Sequence, residues 1–172
     1  MDTQLLRESH QPIIDRLLYF TNSDSEERKN IYSDLFIETW ERIPETDRSQ
    51  ILDNLEFILC KRVEDIWNNG TPACALLCKI SLRSFIVFDP FVDNLKRETK
   101  IHILAHELAH VYYNHPRIGS EKGSVKEIEY IENEAEPQAY FLVEERWKIF
   151  PHKDDLVRLK GYKKYINKAD NP

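Results

Sequence analysis

Residues 106–110 read His-Glu-Leu-Ala-His, and the flanking residues dictate how that pentapeptide is carried. Ile101, Leu104, Ala105, Leu108, Val111 and Tyr112 fall at i, i+3, i+4, i+7, i+10 and i+11, the spacing of one buried helix face. The pattern predicts a helix that starts from a cap at Asp93 or Asn94 and runs to about Asn114. His115-Pro116 ends it, because the residue before a proline is pushed out of the helical region. On such a helix, side chains at i and i+4 project from the same side, so His106 and His110 can reach one metal ion. His102, His106, His110 and Tyr113 share a face away from the apolar stripe. Glu107, next to the first histidine, is placed to hold a water on that ion and take its proton. Zinc suits this donor set and lowers the pKa of its water towards ~7. Manganese or iron would accept the same donors.

Two histidines leave a catalytic zinc site one protein ligand short. The acidic stretch Ile131–Val143, IENEAEPQAYFLV, can supply it. Glu132, Ala135, Glu136 and Ala139 share a face at i, i+3, i+4 and i+7, and the two alanines permit a close approach to the His-Glu-x-x-His helix. Glu132 is then the leading ligand. Glu136, one turn on, would accept a hydrogen bond from the outer nitrogen of a ligating histidine. Pro137 keeps other registers open, since it removes one helical N–H. Either the helix kinks there, or it starts at Asn133 with Glu136 closing a capping box, an option that favours Glu134 or Glu136 as ligand. His115 is a weaker candidate ligand and fits a capping or surface position better. His102 suits packing or an outer contact to the site. Among the tyrosines, Tyr113 is the one placed to line the site.

The rest of the chain reads as the setting for this pair of segments. Its 172 residues, 41% of them apolar, suffice for one domain with a real core. The net charge of −6 argues against broad nucleic-acid contact. No apolar run approaches the roughly 18 residues of a membrane helix, and the opening MDTQLLRESH has no secretory pattern. Cys60, Cys74 and Cys78 form no CxxC and fit a reduced, cytoplasmic protein in which the thiols pack as small apolar groups. Residues 1–70 read as a helical N-terminal part. Its three helices carry Leu5 to Leu18, residues 26–42, and a stripe of Ile51, Leu52, Leu55, Ile58, Leu59, Val63 and Ile66. Ala73–Leu82 and Ser84–Asp89 read as neighbouring strands with a turn near Leu82-Arg83. Phe85–Phe88 is either a core strand or an edge that an extended peptide could join. A helix over 126–148 and a basic helix over 152–172 complete the chain. The expectation is a single domain over 1–172 with its chemical core at 73–150. Its class is α+β, mainly helical, with a small antiparallel or mixed sheet.

HELAHVYYNHP followed by ENEAEPQAYFLV resembles zinc peptidases of the ImmA/IrrE type and the peptidase-like region of ArdC antirestriction proteins, over about residues 80–147. Those proteins carry HExxH and, downstream, a Glu-x-x-Ala-(Asp/Asn/Glu) helix, matched here by Glu132-Asn133-Glu134-Ala135-Glu136. The resemblance implies a minimal zincin-like metallopeptidase fold. It implies zinc held by His106, His110 and Glu132, with Glu107 as general base. By the same likeness the activity would be intracellular cleavage of a specific protein, such as a repressor or antitoxin in a stress, phage or mobile-element circuit. The alternative is a zinc-binding regulatory module that recognises a protein partner without cutting it. Departures from the pattern are Pro137 and Leu142-Val143-Glu144-Glu145, which stands where Leu-Leu-Met-Pro is frequent.

Overall fold

A mixed four-stranded sheet with helices packed against it gives the chain an α+β architecture in the computed structural model, which describes residues 10–19, 26–60, 73–77, 81–88, 95–115 and 131–155. The strands are β1 (Leu17–Tyr19), β2 (Leu55–Cys60), β3 (Ala73–Leu77) and β4 (Ser84–Phe88), in the order β1-β2-β4-β3. β1 and β4 both run parallel to β2, with Leu17 opposite Ile58 and Ile58 opposite Ile86. β3 runs antiparallel to β4, pairing Ala75 with Ile86. The expected turn between β3 and β4 is present, with exposed Leu82 at φ 57°.

Two expectations for the first third are corrected. Leu17 and Leu18 belong to β1, and the helical turn before them covers 10–14. The expected third helix breaks after Asn54 and continues as β2. Leu55 and Ile58 suit a helical stripe and a strand equally well. As a strand they lie between β1 and β4 and are 0% exposed, so burial in the sheet overrides the local spacing. The part read as helical thus contributes two strands to the same sheet as β3 and β4. β4 is an interior strand, so among the described residues β3 is the edge on this side of the sheet. The basic helix expected after Pro151 lies outside the described residues beyond a short 3-10 turn, Lys153–Asp155.

The helices are α1 (Glu26–Arg42), α2 (Glu45–Asn54), α3 (Arg97–Tyr112) and α4 (Glu136–Phe141). Phe36 and Trp40 of α1, Ile51 of α2, Phe88 of β4 and Ile101, Leu104 and Leu108 of α3 close one core. Phe36 meets Phe88 edge to face at 5.6 Å between ring centres. Each such buried side chain contributes about 1.5–3 kcal/mol. α3 touches α1, α2, β3, β4 and α4, and every residue from Ile101 to Val111 is buried. The histidine face of α3 is therefore as enclosed as its apolar stripe.

Distant residues cap both ends of α3. Lys96 occupies the N-cap position and offers no side-chain bond. Asp155 replaces it, its Oδ2 accepting the Lys96 N–H at 2.7 Å and the Thr99 hydroxyl at 2.7 Å. A carboxylate there also meets the positive end of the helix dipole. At the other end, Gln50 Nε2 donates to the Tyr112 carbonyl at 2.9 Å and Asn54 Nδ2 to the Val111 carbonyl at 3.1 Å. The chain then reverses in a Schellman turn. Asn114 sits at φ 52°, its N–H donates to Val111 O at 3.0 Å, and the His115 N–H donates to His110 O at 3.0 Å.

α4 is flanked by two π-helical turns, Ile131–Ala135 and Leu142–Arg146. The α-helix does not start at Asn133 with Glu136 closing a capping box; it starts at Glu136, and Ala135 at its N-cap makes no side-chain cap bond. A proline ring crowds the carbonyl four residues back, here Asn133, and the wider π turn that carries Asn133 relieves it. Buried Asp47 of α2 pins the second π turn, accepting from Arg146 and from Trp147 Nε1 at 2.8 Å.

Candidate metal centre

α3 and α4 bring His106, His110 and Glu136 together. His106 Nε2 and His110 Nε2 are 3.1 Å apart. Glu136 Oε2 lies 2.9 Å from His106 Nε2, and its Oε1 lies 3.5 Å from His110 Nε2. Zinc bonds of about 2.0–2.2 Å in a tetrahedron place neighbouring donor atoms roughly 3.3 Å apart. The three separations scatter around that edge length. Lone pairs of two imidazoles and a carboxylate repel when they converge, and a cation between them removes the repulsion. His106 and His110 are buried and the Glu136 side chain is 16% exposed, so little water screens the cluster. The residues present can hold a metal ion, and their chemistry is compatible with zinc. His106 Nδ1 is buried and has no hydrogen-bond partner among the described residues.

The third donor in this cluster is Glu136, which the sequence offers as an outer partner of a ligating histidine or as an alternative ligand. Glu132 lies in the π turn Ile131–Ala135, one turn before it, and the Glu132 side chain lies outside the described residues. Glu134 is exposed.

Glu107 faces the sheet. Its Oε2 accepts the backbone N–H of Ala75 at 2.6 Å, an amide of the edge strand β3 that β4 does not take. A charge-assisted bond of this kind contributes about 1.5–3 kcal/mol. It holds the carboxylate on the strand side of α3, next to His106.

His115 is buried beside the outer nitrogen of His110, with the two Nδ1 atoms 3.0 Å apart. It occupies neither the surface nor the metal side. Its Nε2 faces Gln138 Oε1 at 3.2 Å. Tyr113, expected to line the site, is 37% exposed and stacks on His115 at 5.2 Å. The tyrosine that does reach the cluster is Tyr140, whose ring lies 4.3 Å from that of His106. The pattern held a signal for it: Tyr140 follows Glu136 by four residues, and on a helix that is the same face. Glu144 follows by four more and meets His102 Nε2 at 3.2 Å. His102 is thus an outer contact of the centre, as its spacing predicted. Burial holds its imidazole below the usual histidine pKa, against the opposing pull of the Glu144 carboxylate.

No helix among the described residues is long and apolar enough to cross a membrane. No family model matches the chain, and neither a curated protein nor a solved structure does, so the functional reading rests on the chemistry of this site.

Proposed function

We propose that this chain is a zinc-dependent endopeptidase of zincin type that cleaves a specific cytoplasmic protein. The observation that carries the reading is the convergence of His106 Nε2, His110 Nε2 and the Glu136 carboxylate at 2.9–3.5 Å, next to Glu107 on the same helix. Those three side chains would hold the ion. Glu132 remains the ligand that the family resemblance implies. A zinc ion in such a site supplies Lewis acidity and an activated water.

The chain's own groups account for the remaining steps. Glu107 takes the proton of the attacking water and delivers it to the departing amine. Among the described residues β3 is an edge strand, and an extended peptide laid along it would pair with its outward amides. The Ala75 N–H is one of them. A substrate that takes that amide frees the Glu107 carboxylate for the water.

Elemental analysis of purified protein is expected to find about one zinc per chain, lost on His106→Ala. Glu107→Gln is expected to keep the zinc. Mass spectrometry of protein termini from cells expressing either form should show new N-termini with the wild type alone. Identical termini would remove the hydrolase.

The Glu107–Ala75 bond favours a second reading, a zinc-binding module that recognises a protein without cutting it, because the base is already engaged. Zinc binding with no cleavage supports it, and a metal-free protein removes both readings.

A further inference from the structure

We infer that His115 and Gln138 form a relay that sets which nitrogen of His110 carries the proton, and so present the lone pair of His110 Nε2 to the metal. The inference rests on the metal-binding reading above and not on hydrolysis.

An amide oxygen only accepts, so His115 Nε2, 3.2 Å from Gln138 Oε1, must donate. Neutral His115 then has its lone pair on Nδ1. That atom is 3.0 Å from His110 Nδ1, which must therefore carry a proton. Neutral His110 is left with its lone pair on Nε2, the atom that faces His106 Nε2 and Glu136. Reversing the Gln138 amide reverses every link. Its NH2 would donate to His115, His115 Nδ1 would donate to His110, and an N–H would point into the donor cluster. The two polarities are exclusive, and only the first admits a cation.

The backbone explains why His115 stands there. In a Schellman turn the side chains of C″ and C3 meet, usually as an apolar pair. Here C″ is His115 and C3 is His110, so the turn that ends α3 brings the two imidazoles together. Gln138 reaches His115 from α4, so the relay joins the same two helices as the metal site. Outer partners of metal-bound histidines are ordinarily carboxylates, carbonyls or waters. A second imidazole can face either way, so the end of the Gln138 amide that meets it, here the oxygen, fixes the direction.

Gln138→Glu leaves an acceptor only, and Gln138→Lys a donor only. Zinc affinity, read by chelator competition, is expected to be kept or tightened by Gln138→Glu. With Gln138→Lys it should fall roughly 10–100-fold, the range for outer partners of a ligating histidine. The added charges act on the ion directly, so the same pair is measured on a His115→Phe background, where the gap should shrink to screened surface electrostatics. Long-range proton–nitrogen NMR of the metal-free wild type should place the proton of His110 on Nδ1 and that of His115 on Nε2. Equal affinities of the two variants, or a gap that persists without His115, would overturn the relay. So would a proton on His110 Nε2. Zinc bound without proteolysis removes the hydrolase alone. With no metal bound, the NMR experiment still decides the relay.

Discussion

α3 and the helical segment opposite it meet at one cluster but are held in different ways. α3 is a regular α-helix, buried from Ile101 to Val111 and capped by residues far away in sequence, Asp155 at one end and Gln50 and Asn54 at the other. The facing segment holds Pro137, winds as π turns on both sides of α4, and leaves Glu134, Gln138, Phe141 and Glu145 exposed. The imidazoles thus come from an element that cannot shift without disturbing the core. The carboxylate comes from a partly exposed segment wound as π turns on either side of α4.

The largest expected effect tests the rigid side. His110→Ala removes a ligand and the inner end of the relay together. Bound zinc should fall from about one per chain to none by elemental analysis. A retained full equivalent would mean that the ion sits elsewhere.

The next effect sharpens the facing side. Glu136→Gln should weaken zinc by more than the roughly 100-fold upper range for outer partners, and Glu132→Gln by less. The reverse order in chelator competition would hand the ligand role to Glu132 and leave Glu136 as its neighbour one turn on.

Smaller effects test the claim that α3 is fixed from outside. Asp155→Ala removes the carboxylate at the N-terminus of α3 and should cost about 1–2 kcal/mol in urea unfolding. Asn114→Ala keeps the turn but loses a residue tolerant of positive φ, and should cost about 1 kcal/mol. Asn114→Gly should be near neutral.

The smallest effect is in pH dependence. The pKa of His102 is lowered in the folded state, so the folded protein takes up its proton less readily than the unfolded chain. Its contribution to stability is full above the ordinary histidine pKa and is lost as pH falls through the lowered one. His102→Phe should flatten the stability profile between neutral and mildly acid pH, as read by thermal unfolding. An unchanged slope would place the titration elsewhere.

Much of the candidate centre was legible without coordinates. The i, i+4 spacing of His106 and His110 is a property of any α-helix, and so is the stripe that buries the opposite face. The turn between β3 and β4, the extent of α1, and the acidic segment as the source of a carboxylate were legible for the same local reasons. The choice among carboxylates was less so, because Pro137 breaks the regular period on which the choice of Glu132 depended. In the sequence His115 reads as a cap or surface residue. Asn114 ahead of His115-Pro116 was the available sign of a left-handed helix end, and such an end carries the following side chain back over the last turn.

Local chemistry of the chain was enough to specify the elements whose period closes on itself: the pair of imidazoles, the apolar stripe beneath them and the neighbouring Glu107 carboxylate. Packing decided the rest. Leu55 and Ile58 satisfy the i, i+3 spacing of a helix, and only the flanking strands β1 and β4 make the extended form the one that buries them. Which carboxylate, tyrosine and second histidine surround the pair depends on how two separate helices lie against each other, and residues thirty positions apart carry no periodic trace of that contact.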